Sequence, residues 1–286
     1  MEPLLSPREL ADALGVSESS VKRWVDCGDL AALRTAGGHR RIARSEALRF
    51  ARAKCVLPAR PELLFFVGVQ IEESVLGDAG RSEAFHRALM EGNRPRVLGI
   101  LTSAFLAGHS IASLCDGPIC FALERIGEMW KHDEKGILLE HYATELCIQA
   151  LGVLRAALPE PALDAPVAVG SAGPDDPYLL PSSMCGVVLS ELGFRDVNLG
   201  PCTPVATKLA AVETYRPVLV WHAGSVGGEE ISALASGLRR ISQSADVRLV
   251  VGGRALSALS VPSPVVALAT MRELQAFARG LLPARA

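Results

Sequence analysis

Within the stretch RTAGGHRRIAR at 34–44 stand Arg34, Arg40, Arg41 and Arg44, with His39 and no acid. Each guanidinium is a planar fork of donors that matches phosphate oxygens. Gly37-Gly38 suits a hairpin tip, so the stretch reads as a basic wing lying on phosphates. Further along, Trp130 is followed, after nine residues, by Glu140-His141. A flat indole packs on an apolar ligand face, and a carboxylate and an imidazole can bond the polar groups of a sugar or a base. His222 lies near the end of the apolar run PVLVWHAG at 217–224. The carboxyl end of such a strand is where parallel sheets meet their ligands. His132, His141 and His222 are the candidates for holding a metal or a chromophore. The cysteines, at 27, 55, 115, 120, 147, 185 and 202, include no Cys-x-x-Cys pair, which argues against a zinc site or a disulfide framework.

The elements that position the wing are short. Ser6-Pro7-Arg8-Glu9 predicts a helix start, with Ser at the N-cap, Pro at N1 and Glu at N3. The helix ELADALG ends at Gly15, and Ser17 caps a second helix, ESSVKRWVDCG. Two short helices joined by a tight glycine turn make a helix-turn-helix. The second helix of that motif enters the major groove. Its early exposed residues are Ser19, Ser20, Lys22 and Arg23, while Val21 and Trp24 face the core. Motif and wing together specify double-stranded DNA far better than either alone.

The whole chain has 286 residues, 49% of them hydrophobic and 21% charged, which excludes a disordered chain. Its net charge of -2 excludes a chain that is basic throughout, so DNA contact must come from a local patch. No uncharged apolar run reaches the roughly 18 residues of a bilayer span, and the polar start with Glu2 does not read as a signal peptide. A cytoplasmic location without membrane contact is expected.

Three blocks follow from periodicity. Residues 1–54 carry the helix-turn-helix, and Pro58 and Pro61 read as a linker. Residues 62–156 show helical spacing almost throughout, as in Leu98, Leu101 and Phe105, and read as a bundle. After the Pro- and Ala-rich 159–166, residues 166–286 alternate short apolar runs with helical patterns. Strands at 166–171, 195–200, 217–224, 247–253 and 264–268, with helices near 181–192, 204–215, 229–243 and 271–282, predict a parallel, doubly wound sheet.

The segment SPRELADALGVSESSVKRWVDCGDL with RTAGGHRRI resembles the winged helix-turn-helix of MerR-type and excisionase-like regulators. The Trp130, Glu140 and His141 spacing resembles the cap of CarH/LitR-type, cobalamin-dependent light-sensing repressors. ELGFRDVNLGPCTP (191–204) and VVGGRAL (250–256) are similar to the cobalamin-binding domain of that family. The resemblance implies a winged helix-turn-helix, a four-helix-type cap bundle and a Rossmann-like, flavodoxin-like cobalamin-binding domain. It implies adenosylcobalamin between Trp130, Glu140 and His141 on one side and the strand ends on the other, with Gly252 and Gly253 beside its nucleotide tail. It also implies light as the signal and a homo-oligomer that binds an operator.

The same resemblance exposes departures. The family carries Asp-x-His-x-x-Gly after the first strand, with the His on cobalt. Here the stretch reads Asp176-Pro177-Tyr178-Leu179-Leu180-Pro181, so Tyr178 replaces the His and Pro181 the Gly. Where Ser-x-Leu is usual after the third strand, the chain reads Trp221-His222-Ala223-Gly224-Ser225. Three ligand states stay open: cobalamin with its own base or water below the metal, a different flat tetrapyrrole, or no cofactor. With no P-loop and no Gly-x-Ser-x-Gly elbow, the reading is a transcriptional regulator rather than an enzyme. A cofactor-independent regulator and an antirepressor-like interaction protein are the alternatives.

Overall fold

The computed structural model describes residues 2–64, 66–71, 77–129, 134–224, 230–241, 247–253 and 264–282. The chain divides into two compact units, Met1–Ser110 with Gly117–Pro159, and Ile111–Asp116 with Glu160–Ala286.

The first unit begins with β1 (Leu4–Leu5), α1 (Pro7–Leu14), α2 (Glu18–Asp26), β2 (Leu33–Arg34), β3 (Arg40–Ala43) and α3 (Arg44–Ala53). The predicted capping box forms: Glu9 N donates to Ser6 Oγ at 3.2 Å and Ser6 N to Glu9 Oε2 at 2.7 Å. Gly15 closes α1 in the left-handed region at φ 68°, and Ser17 Oγ accepts from Ser20 N to start α2. Helices this short do not persist alone in water. Leu10, Leu14, Val21, Leu30, Ile42, Leu48 and Phe50 are buried and supply the missing stability. Trp24 is half-buried and stacks on Phe50 with ring centroids 4.7 Å apart. The strands pair antiparallel in the order β1-β3-β2, with Leu5 opposite Ile42 and Arg34 opposite Arg40.

The stretch after α3, expected to be a linker, is folded onto its neighbours instead. Arg60 N donates to Ala13 O, a 3-10 turn spans Pro61–Leu64, and Arg44 Nε donates to Leu64 O. Leu64 and Phe66 are buried. Gln70 N donates to Pro95 O, and the Gln70 carbonyl lies where a Cβ on Gly99 would fall, 1.6 Å away. The prolines interrupt regular helix as expected, but the apolar residues between them find cover.

The rest of the first unit is helical: α4 (Asp78–Met90), α5 (Arg94–Leu106), α7 (Cys120–Met129) and α8 (Glu134–Ala157), with α6 (Ile111–Leu114) and a π turn at Cys115–Ile119 between α5 and α7 in the chain. α5 is buried from Val97 to Leu106. α8 packs along it, with Ala143, Leu146, Cys147, Ala150, Leu151 and Leu154 buried at helical spacing. α8 is also the one described helix long and apolar enough to cross a membrane by length and composition.

In the second unit, β4 (Val167–Ser171), α9 (Leu179–Leu192), β5 (Arg195–Asn198), α10 (Val205–Tyr215), β6 (Leu219–Ala223), α11 (Glu230–Ile241), β7 (Arg248–Gly252), β8 (Val266–Leu268) and α12 (Met271–Arg279) follow in order. The five strands are parallel in the order β5-β4-β6-β7-β8. Strand order therefore reverses between β4 and β6, the switch point at which doubly wound sheets open a crevice. α9 starts two residues earlier than predicted. Pro181 is tolerated in its first turn, where backbone N–H groups have no helical partner. Gly170 in β4 is required by its neighbour: a Cβ there would meet the Trp221 ring at 2.0 Å. The buried indole lies flat over the glycine and donates to Asp196 Oδ1 at 3.3 Å.

Ile111–Asp116 belongs to this unit although it lies between α5 and α7 in the chain. Ile111 N donates to Glu191 Oε2 of α9 at 2.8 Å. The Asp116 carboxylate accepts from Met271 N (2.8 Å) and Arg272 N (2.9 Å) at the start of α12.

Candidate nucleic-acid interface and candidate cofactor surface

The outer face of α2 carries Ser19, Lys22 and Arg23 exposed and Ser20 half-exposed. Ser17 Oγ contacts the hydroxyls of Ser19 (2.8 Å) and Ser20 (2.9 Å), so a small hydroxyl cluster sits at the positive end of the helix. Lys22 pairs with Glu18 one turn back at 2.8 Å. That neighbour holds the Glu18 carboxyl below its ordinary range.

The wing turns at Thr35–His39, where Gly38 N donates to Thr35 O and Gly38 takes φ 78°. Arg34 and His39 are exposed. Arg41 is half-buried and donates to Arg40 O. Arg40, expected on phosphates or guanines, also has partners within the protein. Its guanidinium bridges to the Asp26 carboxylate and the Lys22 carbonyl of α2. It braces the wing against the helix that would enter the groove.

On α8, Glu140 and His141 are exposed, and so are Ile137 (55%), Leu138 (71%) and Tyr142 (45%). Fewer than two helix turns thus present apolar side chains beside a carboxylate and an imidazole, a mixture that suits a flat ligand with polar edges. Trp130 and His132 lie outside the described residues, as does Ser225.

In the second unit the loop after β4 brings Asp176 to the carboxyl edge of the sheet. Asp176 is buried, its Oδ1 accepts from Tyr178 N at 3.0 Å, and its carbonyl accepts from Cys202 N. Tyr178 stands at the N-cap of α9 with its side chain 56% exposed. Gly252 and Gly253 have an intramolecular reason for being glycine. A Cβ on Gly252 would lie 2.8 Å from Leu268 O, and Gly253, at φ 113°, would lie 2.1 Å from Gly224 O. Neighbouring backbone alone therefore requires glycine at both positions.

His222 is buried on β6, and its Nδ1 is 2.9 Å from the Lys208 ammonium of α10. A lysine has only donors, so Nδ1 is the acceptor and the imidazole is neutral. Burial, then the lysine charge, push the His222 pKa down to about 3. Lys208 was not anticipated. Its signal is a single cation on the stripe Val205, Lys208, Ala211, Val212, which otherwise reads as apolar.

Whether these residues suit a corrin can be tested on the donor set. An exposed phenol at 178 is a poor cobalt ligand, and Asp176 Oδ1 accepts from the Tyr178 backbone N–H. Among the described residues no group of three His, Cys, Asp or Glu side chains is placed to hold a metal, so His141 and His222 do not form one. Among the described residues, the second unit does not fit cobalt ligation by the protein.

Two family models match the chain. One, described as a helix-turn-helix domain, covers residues 4–55. The other, described as a B12 binding domain, covers residues 81–155, the helices from α4 to α8. The chain joins a helix-turn-helix domain to a B12 binding domain. Among solved structures, the monomethylamine corrinoid protein of Methanosarcina barkeri has a TM-score of 0.55 at 14% identity, over 72% of this chain and 100% of that one. A cobalamin-binding protein from Desulfitobacterium hafniense DCB-2 has a TM-score of 0.36 at 13% identity, over 71% and 98%. The methanol:cobalamin methyltransferase complex MtaBC of Methanosarcina barkeri has 0.36 at 17% identity, over 81% and 91%. The first of these likenesses extends the shared fold to most of the chain. No curated protein matches it.

Proposed function

We propose that this protein is a transcriptional regulator whose binding to operator DNA is set by a corrinoid. The observation that carries the reading is the union, in one chain, of a helix-turn-helix with an exposed basic wing and a helical B12 binding domain. The first is a DNA-reading feature. The likeness in fold to a corrinoid protein supports the second.

In this reading Arg23, Arg34 and Arg41 contact phosphates or bases of the operator. Lys22, Ser19 and Ser20 face the groove, and Arg40 holds the wing in place. Glu140 and His141 would contact a bound corrinoid, and Tyr178 would not supply its metal with the ligand that a histidine gives. The finer features follow the resemblance to MerR-type and CarH/LitR-type regulators: adenosylcobalamin as ligand, light as signal, and a cytoplasmic homo-oligomer whose assembly state changes with the ligand. A ligand can shift such an equilibrium only by its difference in affinity for the two states.

The test is an absorption spectrum after dark incubation with adenosylcobalamin and removal of free ligand, beside an operator mobility shift. A retained corrin spectrum that changes under green light supports both the ligand and the signal. A colourless protein that still shifts DNA leaves a cofactor-independent regulator. A protein that binds no DNA at low salt defeats the regulator.

A further inference from the structure

The loop Ala107–Ser110, between α5 and α6, is gripped from two sides. Arg52, in the last turn of α3, donates to the His109 carbonyl at 3.1 Å, and its guanidinium lies 4.1 Å from the centre of the Phe105 ring. The His109 ring meets Arg81 of α4, with Nε2 2.8 Å from a guanidinium nitrogen. Arg81 is 5% exposed and is itself fixed to Asp78 at 2.9 Å. Gly108, at φ 97°, makes the sharp turn that places His109 between the two arginines. The loop therefore reports directly on the position of α3, the last helix of the DNA-reading module.

One residue later the chain changes allegiance. Ile111–Asp116 is part of the α/β unit and is stitched there at both ends, by Glu191 at Ile111 N and by Asp116 at the start of α12. Gln275 of α12 also donates to Glu191, at 3.3 Å. Glu191 stands near the far end of α9, whose near end begins at Tyr178 beside the switch point of the sheet. A helix of 14 residues is a rod about 21 Å long. A displacement at its start reaches Glu191 with little loss, because packed interiors transmit strain.

We propose that Ile111–Asp116 and the loop Ala107–Ser110 form a mechanical relay that couples the ligand edge of the α/β unit to α3 of the DNA-reading module. The relay runs from α9 through Glu191 to Ile111, across the peptide bonds to His109, and out through Arg52. It rests on the regulator reading, to which it adds the route of control. The route predicts that α3 feels the state of the α/β unit even when neither DNA nor corrinoid is present.

Hydrogen–deuterium exchange on the full chain, without DNA or corrinoid, tests it. Glu191→Gln removes the charge that accepts from Ile111 N, and Asp116→Asn weakens the other stitch. The expected result for each is about tenfold faster exchange in 105–112 and also in 46–56, the scale of one lost bond to a charged acceptor. In an Arg52→Ala background the added effect on 46–56 should vanish while that on 105–112 persists. Exchange changes confined to 111–116, 187–193 and 271–275 overturn the relay. Because operator binding is not the readout, the two ideas fail separately. A chain that cannot bind DNA yet shows the coupled exchange loses only the regulator reading, and one that binds DNA without coupled exchange loses only the relay.

Discussion

The Lys208 ammonium donates to Nδ1 of His222 at 2.9 Å, between α10 and β6, with both side chains almost fully buried. The pair ties the helix layer to the central strand of the α/β sheet. The His222 pKa is pushed down to about 3, whereas an unfolded histidine titrates near 6.5. Between those values the unfolded chain binds a proton that the folded chain refuses. Stability therefore falls as pH drops from about 6.5 towards 3. Urea midpoints measured across that window should show the loss, and His222→Gln should flatten it. An unchanged acid slope in the variant would remove His222 from the account. Lys208→Ala leaves a buried Nδ1 unpaired and should cost about 1–3 kcal/mol at neutral pH.

Arg40 and Asp26 give opposite expectations for charge and for geometry. On charge alone, Asp26→Asn makes the DNA face more positive and should tighten binding. If the pair orients the wing, the same variant should weaken operator binding two- to fivefold, in keeping with the ~0–1 kcal/mol of an exposed pair. Its affinity for unrelated DNA should hold or rise. Titration of both DNAs at one salt concentration separates the two.

Among the described residues, Arg23 and Arg34 show no such side-chain bond to the wing or α2. Replacing either with Ala should lower the dependence of log affinity on log salt by about 0.9 if it contacts one phosphate. A loss of affinity that leaves this slope untouched would point to a base contact instead.

Thiol reactivity should split the cysteines by burial. Cys27, Cys55 and Cys202 are exposed, whereas Cys115, Cys147 and Cys185 are buried. Burial pushes the Cys185 thiol up to about 12 and raises that of Cys147 further, so neither supplies thiolate at neutral pH. Mass spectrometry after brief alkylation of the native protein should find the first three modified and the last three intact. Rapid labelling of Cys147 would contradict the packing of α8 on α5.

Gly99→Ala tests the seating of 66–71. Its Cβ would collide with the Gln70 carbonyl, so the segment must lift from α5. A destabilisation of several kcal/mol is expected, although alanine is the better helix former by about 1 kcal/mol. A variant as stable as the parent would show that the segment moves aside freely.

Local signals wrote much of this fold openly. Ser6, Glu9, Gly15 and Ser17 act over three or four residues, and each cap forms where the sequence places it. The strands and helices of the α/β unit were legible for the same reason, since period and turn residues are near-neighbour properties. What stayed hidden depends on distant partners. Nothing near Asp116 says that it will cap a helix beginning at Met271. Nothing near Pro61 says that Leu64 and Phe66 will be covered. Arg40 reads as one more wing cation until Asp26, two turns along α2 from its start, is brought beside it. Lys208 left a faint trace as a charge on an apolar stripe, but its partner lies on another element.

The seating of residues 59–64 and 66–71 also decides how this protein can be taken apart. A cut at the prolines, where the sequence invites one, would strip Leu64 and Phe66 of their cover and leave the Gly15 turn without Ala59. A chimaera that borrows a foreign DNA reader would have to import matching surfaces for α1, α3 and α5 along with it. A cut after Ala157 would in turn carry Ile111–Asp116 away from Glu191 and from the start of α12, so any exchange of the DNA reader with its helical domain has to restore those contacts.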